Sequence, residues 1–171
     1  TRRSSDLTEE KRSYSFAHNP NGDNQFEFLI RLLPSGCMSD YLRDRAKVGD
    51  SIEIEAPLGV FYLRKVERPV IMIAGGTGLS AFLGMLDDLA EAGGNGKDVT
   101  LFYGVTNAAD LAEMDRLKDY ADKIPNYNFF PIVMNSSSDW DGPTGVVTDL
   151  IEESHINGGD VDAYLCGPPP M

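Results

Sequence analysis

Val70-Ile71-Met72-Ile73-Ala74-Gly75-Gly76-Thr77-Gly78-Leu79-Ser80-Ala81 decides how this chain is read. Five apolar residues in a row, set between Pro69 and a glycine cluster, predict a strand buried on both faces, as in a parallel sheet. The glycines predict a tight turn that opens a helix over 79–92. Phe82, Leu83, Leu86 and Leu89 share one face of that helix, and Gly93-Gly94 ends it. A turn in this context can take a phosphate. Its backbone approaches closely, and the helix start offers unpaired N–H groups and a partial positive charge. Gly76–Ala81 also fits G-x-G-x-x-A. The same turn can be a plain strand–helix connection, so it does not fix a function alone.

Strands and helices alternate toward the C-terminus. The pattern predicts strands at Val99–Val105, Tyr127–Met134 and Val161–Cys166. It predicts helices at Asp110–Ile124, with Leu111, Met114, Leu117 and Ala121 inward, and at Val146–His155, after a polar loop over 135–145. This alternation predicts a doubly wound parallel sheet with right-handed crossovers. The usual dinucleotide fold carries an acid near the end of its second strand. Here that strand runs into Tyr103-Gly104-Val105-Thr106-Asn107, and the first acid is Asp110.

Toward the N-terminus the pattern changes. Tyr14 and Phe16 alternate with serines, and Asn19–Asn24 is a dense turn signal. Phe26, Phe28, Ile30 and Leu32 then alternate with period two, followed by Ile52–Ala56 and Val60–Leu63, with a short helix over Met38–Ala46. Short strands without long helices predict an antiparallel barrel or sandwich. The expected boundary lies near 64–69, dividing the chain into 1–66 and 67–171.

Charge divides along the same line. Residues 1–68 are net neutral, with 11 basic and 11 acidic side chains; residues 69–171 have 4 basic against 16 acidic. A segment carrying the whole net charge of −12 is unsuited to a phosphate backbone or an anionic lipid surface, so neither nucleic acid nor membrane is an expected partner. No apolar run nears the roughly 20 residues of a membrane span. A hydrophobic fraction of 42% argues against disorder. Two isolated cysteines cannot build a disulfide framework, which makes the cytoplasm the expected compartment. The ends, Thr1 and Met171, read as cuts, so the sequence is expected to be a fragment.

Three further stretches carry chemistry. Cys166-Gly167-Pro168-Pro169 ends a parallel strand, where open α/β sheets bind ligands; the plain alternative is a buried structural cysteine. Arg12-Ser13-Tyr14-Ser15 could hold a phosphate and a flat ring, or be a solvated edge strand. Gly36-Cys37-Met38-Ser39 could bind an anion, or simply cap a helix. His18, Cys37, His155 and Cys166 lack metal-ligand spacing, so no metal site is expected. Ser80 lacks the second glycine of a nucleophile elbow.

In their order, these four stretches resemble the ferredoxin–NADP⁺ reductase superfamily, in which a flavin-binding β-barrel precedes a nicotinamide-binding α/β domain. They match its R-x-Y-S, G-x-x-S, G-G-T-G and C-G-P motifs. Gly36–Leu42, Gly59–Leu63 and Tyr164–Met171 look most like reductase components of benzoate-type aromatic-ring dioxygenases. The resemblance implies roles. Arg12, with Ser13, would hold the flavin pyrophosphate, Tyr14 would pack on the flavin, and Ser15 would bond near N5 and serve the hydride step. Gly36, Cys37, Met38 and Ser39 would bind the FAD pyrophosphate from the helix start. Gly75, Gly76, Thr77 and Gly78, with Thr106, would cradle the nicotinamide dinucleotide. Cys166, with Gly167 and Pro168, would lie beside the nicotinamide and orient it.

The family turn continues to a proline where this chain has Ala81. The family's first barrel strands, last helix and last strand lie outside these residues, and so would the [2Fe–2S] domain of a benzoate-type reductase. NADP recognition needs a cation near the 2′-phosphate. Residues 104–115 have none and contain Asp110, Glu113 and Asp115, which points to NADH. The expected activity is electron transfer from NADH through FAD to an iron–sulfur domain or ferredoxin, and from there to a terminal oxygenase. The alternatives are a monooxygenase reductase, a flavohaemoglobin-type module, or a nucleotide- or partner-binding fragment without turnover.

Overall fold

The computed structural model describes residues 11–20, 22, 24–169 and 171. Residues 1–10 of the expected barrel part, and Asn21 and Asp23 of the expected turn, lie outside them.

Helix α1 spans Cys37–Asp44. Four parallel strands follow: β1 (Val70–Gly75), β2 (Val99–Val105), β3 (Tyr127–Val133) and β4 (Asp162–Cys166). They stand in the order β3-β2-β1-β4. Helix α2 (Ser80–Glu91) joins β1 to β2, and α3 (Met114–Lys123) joins β2 to β3. The strand positions agree with the sequence reading to within a residue. All six residues of β1 are buried, because a central strand between two neighbours is covered on both faces.

The pleat splits the core in two. Val70, Met72 and Ala74 face a cluster with Leu101, Tyr103, and Phe82, Leu83, Leu86 and Leu89 of α2, joined by Leu117 of α3. Ile71 and Ile73 face the other way, onto Phe102, Ile132 and Val147. Chain direction explains the layers. Steps from β1 to β2 to β3 place both helices on one face. The return past β2 and β1 to β4 uses the other face, since crossovers are right-handed. Burying each large apolar side chain of α2 contributes about 1.5–3 kcal/mol.

Two expected helices differ. The segment after β2 forms a 3₁₀ turn at Ala108–Asp110 and breaks at Glu113, with φ +57°, before α3 begins. Glu113 in the left-handed region interrupts the run of helical dihedrals, and the Ala112 N–H before it goes to the Tyr103 hydroxyl at 3.3 Å. Ala121 is exposed; Tyr120 and Ile124 face inward with Leu117. The third expected helix, Val146–His155, is instead two short 3₁₀ stretches, Val147–Leu150 and a kinked Glu153–Gly159. The Asp149 carboxylate accepts the Val146 N–H at 2.9 Å, and His155 Nδ1 accepts the Glu152 N–H at 3.0 Å. The second bond takes an amide that a helix over 146–155 would pair with the Thr148 carbonyl, and β-branched Val146, Val147 and Thr148 weaken the helical alternative.

Of the strands expected over 12–68, the described residues form one antiparallel bridge, Phe16 opposite Phe28. The Ala17 N–H donates to the Glu27 carbonyl at 2.8 Å beside it. Elsewhere the alternation is present without a ladder, and Ile52, Leu58 and Val60 stay exposed. Alternation sets which face a residue takes, but a ladder also needs a partner strand at its edge. By packing, the described residues form two compact units. Residues 11–14 and 30–59 make one; 15–29 group with 60–171 in the other.

Candidate functional site

The C-terminal ends of β1, β2 and β4 carry the predicted dinucleotide residues. β2 lies on one side of β1 and β4 on the other, so the chain leaves β1 one way and reaches β4 from the other. That reversal is where open α/β sheets leave a ligand crevice. Ala74 pairs in register with Cys166, which brings the turn after β1 against the turn after β4. A Cβ on Gly75 would lie 2.8 Å from Pro168 Cδ, and one on Gly78 would overlap the Cys166 carbonyl. Glycine there lets two backbones touch.

Gly76–Leu79 form a 3₁₀ turn that runs into α2, with Gly76 at φ +53° and nothing within 4 Å of where its Cβ would be. Ser80 braces the turn from below: its buried hydroxyl donates to the Thr77 carbonyl at 2.9 Å. Sequence reading considered Ser80 only as a nucleophile. Its place one residue past the glycine turn was the available signal. Thr77 stays exposed at the mouth.

Cys166 is half-buried, and burial raises its thiol above the ordinary cysteine range. It is therefore a neutral thiol near pH 7, suited to packing and weak hydrogen bonding rather than attack. Thr106, exposed just past β2, accepts the Asn135 N–H on its carbonyl at 2.9 Å. Asn135 Nδ2 also donates to Asn107 Oδ1 at 3.0 Å. Asn107 in turn donates through its backbone N–H and Nδ2 to Asp110 Oδ2, each at 3.2 Å. A carboxylate is thus fixed beside the end of β2, with no Lys or Arg between residues 104 and 115. The Asn107–Asn135 bond was invisible in the sequence, because it joins two loops 28 residues apart.

The other compact unit holds Arg12, Ser13 and Tyr14 together with Gly36–Ser39; Ser15 packs with the sheet unit. Gly36 precedes α1 at φ +147°, and the first turn of α1 has no side-chain cap. Cys37 is exposed and Met38 partly buried. Ser39 is buried, its Oγ accepting the Leu33 N–H at 3.0 Å, while its hydroxyl proton can still donate. Asp40 accepts the Gly36 N–H at 3.2 Å, and Arg43 offsets that charge at 3.2 Å. Arg12 is exposed and donates to the Lys11 carbonyl at 2.8 Å; Tyr14 is exposed. Among the described residues no group of three or more His, Cys, Asp or Glu could hold a metal, and no helix is long and apolar enough to cross a membrane.

Residues 72–171 match the oxidoreductase NAD-binding domain family, and residues 3–62 match the oxidoreductase FAD-binding domain. The anthranilate 1,2-dioxygenase electron transfer component of Acinetobacter baylyi is 54% identical over 96% of this chain and 48% of its own length. The toluate 1,2-dioxygenase electron transfer component of Pseudomonas putida is 48% identical over the same shares. The chain therefore spans about half the length of the curated relatives it matches. Among solved structures, the cytochrome P450 reductase GcoB of Amycolatopsis superposes with a TM-score of 0.78. It is 30% identical, covering 97% of this chain and 51% of that one.

Proposed function

The chain belongs to the oxidoreductase NAD-binding domain family, and from that premise we propose that it is the FAD- and NADH-binding part of a reductase serving an aromatic-ring dioxygenase. The observation that carries this reading is the meeting of the Gly75–Gly78 turn with Cys166–Pro168 at the reversal of the sheet. We assign residues 1–66 to flavin binding and 67–171 to nicotinamide binding.

The residues fit both groups. The open space over Gly76 lets backbone N–H groups approach a dinucleotide phosphate, with the start of α2 behind them. The uncapped start of α1, after a glycine that only a side-chain-free residue occupies easily, suits a flavin pyrophosphate. When bound, FAD supplies two-electron uptake from NADH and one-electron release to an iron–sulfur centre, which lies outside this chain. Arg12 would clasp the flavin phosphates by its planar fork, with Ser13, Met38 and Ser39 adding polar contacts. Tyr14 would cover the flavin face, and Ser15 would donate a hydrogen bond at N5. Gly75–Gly78 and Thr106 would hold the dinucleotide. Cys166, kept neutral by burial, would orient the nicotinamide ring without forming a bond to it.

The carboxylate of Asp110 beside β2 favours a ribose 2′-hydroxyl over a 2′-phosphate, hence NADH. An iron–sulfur domain or ferredoxin would take the electrons and pass them to a terminal oxygenase, in the cytoplasm. Visible spectra and NADH-driven dye reduction test the reading. A yellow protein bleached by NADH is expected. A colourless protein that stays inert with added FAD would overturn it.

A further inference from the structure

Residues 15–29 belong to the flavin half by chain order, yet pack within the sheet unit. Ala17 is buried in the core cluster beneath α2 and α3, with Leu29 against it. What fixes the segment is one face of α2. A Cβ on Gly84 would lie 3.2 Å from the His18 carbonyl, so the helix backbone and the loop run close together. One turn further, Asp87 Oδ2 accepts the Asn19 backbone N–H at 3.2 Å, and Asp88 accepts the Asn19 side-chain amide.

Asp87 is itself held. Its Oδ1 accepts the Tyr120 hydroxyl at 2.6 Å, and its Oδ2 accepts Arg116 Nη2 at 2.7 Å. Arg116 Nε donates to the Tyr120 oxygen at 3.0 Å, and its Nη1 lies 3.8 Å from Glu27 on the far arm of the segment. Asp87 and Arg116 side chains are only 22% and 26% exposed, so this network is less screened than a surface pair. Both arms of segment 15–29 are thereby tied to helices α2 and α3. The same α2 begins at the glycine turn, and a helix is a rigid spacer of about 1.5 Å per residue.

We propose that Asp87 is a positioning residue: by holding Asn19 it fixes the segment that starts at Ser15 relative to the glycine turn on which α2 begins. The proposal rests on the cofactor roles assigned above to Ser15 and to Gly75–Gly78. Rigid supports of this kind matter because a misplacement of about 1 Å between reacting groups can cost about a hundredfold in rate.

The test uses the FAD-loaded protein with D87A and, to spare the Tyr120–Arg116 cluster, the double variant N19P/E27A, in which residue 19 has no N–H for Asp87 to accept. Three quantities are read: flavin bleaching at saturating NADH, NADH affinity, and amide hydrogen exchange of Ala17 without cofactor. In both variants exchange at Ala17 should rise at least tenfold while β1 and β2 stay protected. Bleaching should slow about tenfold or more, with flavin content and NADH affinity within about twofold. Unchanged bleaching in the double variant, with faster exchange, would overturn the proposal; so would unchanged exchange in both. If D87A fails to fold, the double variant decides alone. A wild-type protein that NADH never bleaches would instead overturn the underlying redox reading.

Discussion

A side chain on Gly78 would overlap the backbone carbonyl of Cys166. The two residues come from turns 88 positions apart in the sequence, joined because β1 and β4 pair with Ala74 opposite Cys166. A G78A substitution must therefore push the two turns apart. NADH affinity should fall about tenfold or more, while flavin content holds. Titration of the flavin-loaded protein with NADH checks this, and an unchanged affinity would count against the contact as a determinant of the site.

Cys166 should behave as a shielded thiol. Its burial raises the thiol above its ordinary range, so the thiolate fraction near pH 7 is small. Exposed Cys37 should alkylate first, and labelling of Cys166 should climb as pH rises toward and beyond about 9. Mass spectrometry of timed iodoacetamide samples reads both sites. C166A should slow flavin bleaching by NADH while leaving affinity within a few fold, the pattern of lost orientation. Equal labelling of the two cysteines at neutral pH would contradict this account.

NADH should be preferred over NADPH by at least about tenfold. Asp110 supplies the negative charge beside β2, pinned by two donors from Asn107. D110N keeps the size of the cap and removes the charge, so the preference should shrink chiefly through a lower KM for NADPH. Steady-state kinetics with both cofactors measures it. A wild-type preference for NADPH of tenfold or more would refute the assignment.

The stability of the sheet unit should decline in alkali. Burial raises the phenols of Tyr103, Tyr120 and Tyr127 above their ordinary value, and the hydrogen bond to Asp87 raises Tyr120 further. A raised folded-state value means the unfolded chain releases these protons first. The contribution is complete below about pH 10 and is lost as pH rises through the folded-state values. Urea midpoints should be flat from about pH 7 to 9 and fall above about 10, more shallowly in Y127F. A midpoint that rises over the alkaline range would contradict the sign.

The sheet was legible because its signals are local. Val70–Ala74 is apolar enough to require cover on both faces, and a glycine turn followed by an amphipathic helix needs no distant partner to be recognised. The segment at 146–159 departs from the helical reading because His155 turns back onto the Glu152 amide, which periodicity does not report. The strand alternation of residues 12–68 was plain in the sequence, but one bridge was formed among the described residues. Ser80 and the Asn107–Asn135 pair were missed as parts of the site, since each acts on a carbonyl or amide whose position only the folded loops define.

By itself, then, the sequence determined the parallel sheet, the glycine turn, the lack of cations after β2 and the order of four motifs, all properties carried within a few residues of chain. The tertiary structure decided the rest: that Cys166 meets Gly78, that Asp110 is pinned at the end of β2, and that residues 15–29 hang from α2 through Asp87. Those relations depend on strand order and on side chains meeting across loops, and no periodicity along the chain records which distant backbone will come to lie against a given residue.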